Sequence, residues 1–205
     1  VSGLNGGTGW TGAWGNFTGG TLDVTAPGST YPGLESAGNK AFVTPTSDVT
    51  TSRRNFPSVN SGTVYMSMLV DLTNTGTRFL GMQLFEGSTE RGFFGTNSGQ
   101  PNWSMSNPST GQLASSVSTV ASDPTLLVMR LDFNVLGAGS AFERMRLYVN
   151  PTPGGTEPVT ADADSIATTT MSIPSLDGIA IGAGFQTSAT LTTSIGTFDE
   201  LRIGT

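Results

Sequence analysis

The chain has 205 residues, of which 12% are charged, and it carries a formal net charge of −6. Lys40 is its one lysine, and no basic cluster exceeds the pair Arg53 and Arg54. We therefore expect no nucleic-acid partner, because phosphate binding requires a stripe of basic residues. We also expect no membrane insertion, because no apolar run approaches the roughly 20 residues that span a bilayer.

Histidine and cysteine are both absent from the sequence. Their absence excludes disulfides, Ser-His-Asp and Cys-His catalysis, and zinc sites built from these residues. A chain of this length buries about 70% of its unfolded surface, so it can form a stable core without cross-links. The abundance of Ser, Thr, Gly and Asn beside a single lysine predicts a secreted or cell-surface protein.

Short segments of β-sheet composition recur at intervals of about ten residues. The clearest is Thr63–Leu72, in which every second residue from Val64 is apolar, a period of two rather than 3.6. The first 20 residues are rich in glycine but contain Trp10 and Trp14, so we expect them to pack onto the strands. The predicted strands are residues 21–25, 40–44, 50–56, 63–72, 78–85, 91–95, 103–106, 125–134, 143–149, 176–182 and 197–203. This pattern predicts one all-β domain over residues 1–205, a two-sheet antiparallel β-sandwich of the jelly-roll type.

Four segments carry a family resemblance: GGTGWTGAW (6–14), VYMSMLVDL (64–72), RLYVNPTPGGTEP (146–158) and FDELRIG (198–204). With them the chain resembles the concanavalin A-like or laminin-G-like jelly-roll domains of exported bacterial proteins, some of which have cell-surface sorting tails. The resemblance implies two antiparallel sheets of about six or seven strands, with the first and last strands as neighbours. It also implies a carbohydrate site on the concave sheet and, in some members, bound calcium.

Two motifs point to other chemistry and are better explained structurally. Residues 7–12 match G-x-G-x-x-G, but a dinucleotide site needs a strand before and a helix after it, so we expect a tight glycine loop. Jelly rolls similar to this one include endo-glucanases, which place paired carboxylates on one strand face. The nearest spacing here, Glu86 and Glu90, is typical of a hairpin turn. We therefore expect no catalytic residues.

Sugar sites in such folds combine an aromatic face with polar groups that bind hydroxyls. Trp103 beside Asn102 is the first candidate, and Tyr65, Tyr148 and Arg146 follow. The alternative for each aromatic is a place in the core, where most aromatic side chains lie.

Arg130, Asp132, Arg144 and Arg146 alternate along two predicted strands. They form either a polar ligand-binding patch or a solvated face of cross-strand ion pairs, which contribute little stability.

Calcium is the one cofactor that the resemblance implies, as a structural ion that ties the terminal strand to the N-terminal segment. Carried over to this sequence, its ligands are Asp199, Gly38, Asn39 and Asn5. Glu200 is expected on the opposite face of the strand. The alternative is that Asp199 is a charge that protects an edge strand from aggregation.

The leading functional hypothesis is a non-catalytic carbohydrate-binding or lectin-like module of an exported bacterial protein, whose partner is a polysaccharide or glycan. The alternative is a structural subunit of a surface layer, sheath or filament, whose partners are copies of itself. A glucan-active glycoside hydrolase ranks third.

Overall fold

The computed structural model describes residues 6–19, 22–36, 38–45, 49–74, 76, 78–107, 111–137, 143–165, 172–184 and 193–205. In chain order, the strands are β1 (Gly15–Thr18), β2 (Asp23–Thr25), β3 (Lys40–Val43), β4 (Thr50–Val59), β5 (Thr63–Leu72), β6 (Leu80–Glu86), β7 (Thr89–Thr96), β8 (Asn102–Asn107), β9 (Gly111–Ser118), β10 (Thr125–Asp132), β11 (Arg144–Val149), β12 (Ala163–Asp164), β13 (Leu176–Ala183) and β14 (Gly196–Gly204). No helix in these ranges is long and apolar enough to cross a membrane.

The strands form two seven-stranded sheets in which every strand pairing is antiparallel. Sheet 1 has the order β1-β4-β13-β6-β7-β8-β9, and sheet 2 has the order β12-β11-β10-β5-β14-β3-β2. The predicted two-sheet sandwich is confirmed. The expected pairing of the first and last strands is wrong, because β14 lies between β5 and β3 while β1 pairs with β4 in the other sheet.

The core lies between the sheets and follows from the period-two pattern. On β5, Val64, Met66 and Met68 are fully buried, and β10 places Leu127 and Met129 on the same inner face. One hydrophobic cluster contains inner residues of both sheets. The intervening residues of β5 and β10 therefore point away from the core, onto the outer face of sheet 2.

The N-terminal glycine-rich segment packs onto sheet 1, as its tryptophans predict. Trp10 lies 6.2 Å from Trp14 and 6.3 Å from Phe56, measured between ring centroids. The guanidinium of Arg54 lies over the Trp10 ring and donates to the carbonyls of Gly6 and Gly12, both at 2.8 Å. Arg54 is 5% exposed, so this buried cation fastens the segment to β4.

Trp103 belongs to the core. Its position on β8 opposite Thr96 turns it inward, and it is 1% exposed. The interpretation of Trp103 as a sugar-stacking platform is therefore wrong, because both ring faces are covered. The predicted strand at 103–106 is present as β8, and Trp103 lies with Met105 in the core cluster between the sheets. The strand pattern missed β9, which pairs with β8.

The burial of Trp103 predicts the cost of removing it. Trp103→Ala is expected to lower the free energy of unfolding by about 3–5 kcal/mol, because the cavity cannot close fully. Phe17→Ala, at an aromatic residue that is 41% exposed, is the control and should cost about 1 kcal/mol or less. Urea unfolding measures both. Equal losses in the two variants would show that Trp103 is not a core residue.

Candidate functional site

The outer face of sheet 2 carries three rows of side chains across β5, β10 and β11. Residues in one row lie directly opposite one another, so their side chains are in contact range. The rows are Thr63–Asp132–Arg144, Tyr65–Arg130–Arg146 and Ser67–Val128–Tyr148. The row through Arg146 continues to Asp164 on β12.

Asp132 holds two arginines on this face. It accepts bonds from Arg130 Nε at 2.9 and 3.1 Å and from Thr63 Oγ1 at 2.7 Å, and it forms an ion pair with Arg146. Arg144 pairs separately with Asp164, with Nε at 2.9 Å from Oδ1. Every arginine in these rows therefore has a carboxylate partner.

Glu157 reaches the same face from the loop that follows β11. Its Oε2 accepts bonds from Tyr65 Oη and Arg130 Nη1, both at 2.7 Å. Its Oε1 accepts a bond from Tyr148 Oη and lies 3.7 Å from Arg146 Nη1. One loop carboxylate thus receives donors from three neighbouring strands.

The contacts of Glu157 and Asp132 determine their ionisation. Burial acts to raise the pKa of Glu157, but the bonds from Tyr148, Tyr65 and Arg130 outweigh it, so this pKa lies below its usual range. The pKa of Asp132 is likewise lowered, because its bonds to Arg130, Thr63 and Arg146 outweigh burial. Burial and the bond to Glu157 raise the pKa of Tyr148 to about 12. At neutral pH both carboxylates are therefore ionised and Tyr148 is a donor.

Two open grooves flank this network. The first, here the proline groove, has a volume of about 330 Å³ and lies between the loop at 151–158 and the ring-bearing side chains Tyr65 and Tyr148. The second, here the arginine groove, has a volume of about 570 Å³ and is lined by all three arginines of the rows. Leu136, 66% exposed, forms an apolar part of its wall. The bond between Arg130 and Glu157 joins the two grooves.

The structure brings together three of the five predicted ligand residues. Tyr65, Tyr148 and Arg146 share the outer face of sheet 2. Asn102 lies on sheet 1, where its side chain donates to the Ser115 carbonyl at 2.8 Å. Tyr148 is only 3% exposed, so it offers a hydroxyl rather than a stacking face.

Sequence reasoning assigned no role to Glu157. The one signal was that it is the only charged residue between Pro151 and Pro158, in a segment already singled out by the resemblance.

A second aromatic cluster lies on the outer side of sheet 1. The rings of Phe17 and Phe85 are 4.9 Å apart in an edge-to-face arrangement. The Arg53 guanidinium lies 5.5 Å and 4.7 Å from the two ring centroids and pairs with Asp177 at 3.3 Å. This cluster provides a comparison surface for binding experiments.

Asp199 lies at a bulge of β14 and holds the segment at 28–29. Its Oδ2 accepts the Ser29 N–H at 2.7 Å, and its Oδ1 accepts the Glu200 N–H at 2.9 Å. The Gly38 carbonyl accepts the Gly28 N–H at 2.9 Å. A Cβ atom on Gly28 would lie 2.8 Å from Asp199 Oδ2 and 3.1 Å from the Gly38 oxygen, so both oxygens border the same point beside Gly28. Both are oxygen ligands of the kind that calcium takes, and each accepts a backbone N–H group.

The other two predicted calcium ligands are Asn39 and Asn5. Asn39 lines a cavity of about 170 Å³ together with Asp199 and Glu200, whereas Asn5 lies outside the described residues. The regular alternation on which the expected opposite orientation of Glu200 rests is absent, because a bulge interrupts it and Glu200 has a φ of 49°. Within the described ranges no group of three acidic side chains forms a metal site. Burial raises the pKa of Asp199 above its usual range, although the bonds from the Ser29 and Glu200 N–H groups act to lower it.

Comparison with known proteins identifies the fold. No protein-family model matches the chain, and no curated protein matches it. A sialidase structure is similar over 93% of this chain with 12% identity and a TM-score of 0.57, although the match spans 17% of the sialidase. A mutant of the alginate lyase Aly36B, solved with an alginate tetrasaccharide, is similar over 80% of this chain and 79% of its own, with 9% identity and a TM-score of 0.50. The fold is a concanavalin A-like jelly roll, and at these identities the similarity establishes the fold alone.

The lowered pKa of Glu157 predicts a pH-dependent contribution to stability. A carboxylate whose pKa is lower in the folded state stabilises the fold above its unfolded pKa, and this contribution is lost as the pH falls through the folded value. Glu157→Gln is expected to lower the free energy of unfolding by about 1–3 kcal/mol at pH 7. The difference from the wild type should shrink below about pH 4.5. Urea unfolding at several pH values measures it.

The matched control is Glu35→Gln, at an exposed glutamate, which should leave stability unchanged across the same pH range. A loss for Glu157→Gln that is the same at pH 3 as at pH 7 would contradict the ionic role of Glu157.

Proposed function

We propose that the protein is a non-catalytic carbohydrate-binding module and that its ligand binds the outer face of sheet 2. One observation carries this proposal: two tyrosines, three arginines and the carboxylates of Asp132 and Glu157 line two adjoining open grooves. Hydroxyl groups of a sugar are donors and acceptors at once, and a surface that presents both kinds of partner in fixed positions can bind several of them.

The supporting geometry lies in the strands rather than in loops. Tyr65, Arg130 and Arg146 are held in one row by the sheet, and Asp132 fixes both guanidinium groups. Binding groups on rigid elements lose little freedom when a ligand arrives. The apolar side chain of Leu136 gives the arginine groove a surface for the carbon face of a sugar ring.

The ionisation states of the two carboxylates in the grooves favour binding over hydrolysis at this site. A glycosidase requires one carboxyl group that stays protonated near neutral pH. Asp132 and Glu157 both have lowered pKa values, so neither is such an acid. Glu86 and Glu90 lie on either side of the β6–β7 turn. Glu86 is paired with Arg91. Burial raises the pKa of Glu90, although the bond that it accepts from Gln83 acts to lower it.

The proposal includes a location outside the cell or on its surface, which the single lysine and the Ser- and Thr-rich composition support. A structural subunit is the second candidate, and one observation favours it. The edge strand β9 (Gly111–Ser118) contains no charged residue and is mostly exposed. Edge strands without charges are available for pairing with a second copy of the chain.

We further propose that calcium binds at Asp199 and the Gly38 carbonyl, with Asn39, which lines a cavity together with Asp199, as a third ligand. The position of the first two oxygens around the same point beside Gly28 supports this proposal. Bound there, the ion would supply a positive charge that links the terminal strand β14 to the segment before β3. In the alternative, Asp199 binds no metal, and its carboxylate only accepts the hydrogen bonds from the backbone N–H groups of Ser29 and Glu200.

The position of the site predicts the result of glycan binding. The wild type is expected to bind oligosaccharides on a glycan array, and Tyr65→Ala should weaken the affinity about tenfold or more, because it removes a hydroxyl and a ring from the proline groove. Phe17→Ala, at the comparison surface on sheet 1, should leave affinity unchanged. Isothermal titration calorimetry with the best array ligand measures both variants.

If affinity falls for Phe17→Ala and not for Tyr65→Ala, the site lies on sheet 1 and the proposed location on sheet 2 is wrong. Absence of glycan binding together with a mass that rises with concentration would favour the structural role. Release of reducing sugar by the pure protein would contradict the non-catalytic assignment.

The calcium proposal predicts a chelator-sensitive melting temperature. A metal that binds only the folded state stabilises it by about 2.7 kcal/mol at 100 times its dissociation constant. Excess chelator should therefore lower the melting temperature of the wild type, and Asp199→Asn should abolish that response. The exposed Asp23 provides the matched control, and Asp23→Asn should retain the response. If a chelator has no effect on wild-type protein that was first saturated with calcium, Asp199 is a structural carboxylate without a metal.

A further inference from the structure

We propose that Glu157 occupies the place of a ligand's carboxylate, and that the proline groove binds the carboxylate of an acidic sugar, a uronate unit of a polysaccharide. The inference rests on the carbohydrate-binding function proposed above and names its ligand class. Four groups, here the carboxylate cradle, surround the Glu157 carboxylate. The hydroxyls of Tyr65 and Tyr148 and the guanidinium of Arg130 donate hydrogen bonds to it, and the Arg146 guanidinium lies 3.7 Å away.

The cradle matches a carboxylate in number and direction. Two donors meet Oε2, and one donor with a nearby cation meets Oε1. A carboxylate offers about four lone-pair positions and binds charged donors more strongly than a neutral oxygen does. The cradle is therefore specific for an anion rather than for a sugar hydroxyl.

All four cradle groups stand on β5, β10 and β11, whereas the anion comes from a loop. If the arginines only needed neutralising, carboxylates on the strands would suffice, as Asp132 and Asp164 show for Arg130 and Arg144. The sheet holds the donors in place independently of the loop, so a second carboxylate can replace that of Glu157. Withdrawal of Glu157 would leave three arginines facing two carboxylates, a charge that an acidic ligand restores.

The surroundings favour a sugar over a peptide. Beside the cradle, the proline groove offers the apolar faces of Pro151, Pro153 and Pro158 to a ring. The adjoining arginine groove offers ion-paired donors and acceptors for the hydroxyls of the next unit. The net charge of −6 provides no long-range attraction for a polyanion, so recognition depends on the single carboxylate in the cradle.

The first experiment tests the cradle without a sugar. Glu157→Ala removes the carboxylate and leaves the cradle empty. Glu157→Gln removes the charge but leaves a side chain of the same size in the cradle. In formate or acetate, compared with chloride at equal ionic strength, the melting temperature of Glu157→Ala should rise by several degrees, because the small carboxylate binds only the folded state. Wild type and Glu157→Gln should show no such rise. An equal response of all three proteins would overturn the cradle, whatever the sugar data show. Glu157→Ser replaces Glu157→Ala if the latter does not fold.

The second experiment tests the ligand class by calorimetry with trigalacturonate and neutral galactotriose. Because Glu157 acts as an internal competitor, Glu157→Ala should bind trigalacturonate about tenfold more tightly than the wild type. The affinity for galactotriose should be the same for Glu157→Ala as for the wild type. An equal gain for galactotriose would overturn the acidic class while leaving the proposed carbohydrate function intact. Binding of a triglutamate peptide as tight as that of trigalacturonate would overturn the assignment to a sugar.

Discussion

The register of β10 between β5 and β11 determines both the core and the candidate site. Leu127 and Met129 face the other sheet only because their neighbours Val128 and Arg130 face outward. A slip of one residue would turn the apolar set to solvent and bring Arg130 and Asp132 into the core. The burial of unpaired charges costs far more than the loss of hydrophobic contacts, so this register has no close competitor.

Three charged side chains each fasten a loop or terminal segment to the sandwich. Glu157 holds the loop at 151–158, Arg54 holds the N-terminal glycine segment, and Asp199 holds the segment at 28–29. In each case the charge is met by several hydrogen-bond partners, which offsets the cost of removing it from water. The two hydrophobic sheet faces fold the strands, whereas these charges determine where the irregular segments lie.

The sequence predicts those parts of the fold that the pattern of neighbouring residues determines. Residues 63–72 and 125–134 alternate so clearly that both strands and their inner faces follow from the pattern alone. The strand β9 was missed because it lies at an edge, where polar residues suffice on both faces.

Contacts between distant segments decided the remaining assignments. Trp103 is buried in the core between the two sheets, and the sheet that covers it comes from distant parts of the chain. The bond between Tyr65 and Glu157 joins residues 92 positions apart, so nothing in the local sequence announces it. Outward-facing residues of strands were predictable, but the loop that covers them was not.

The composition of the core links the fold to its chemical surroundings. The core contains six methionines that are at most 1% exposed: Met66, Met68, Met82, Met105, Met129 and Met145. Oxidation makes methionine polar, and a sulfoxide does not fit a dry, close-packed interior. Peroxide can reach these sulfurs only while the two sheets are apart. The rate at which the folded protein gains sulfoxide therefore measures how often the sandwich opens. Each oxidation of a core methionine prevents that molecule from packing normally again.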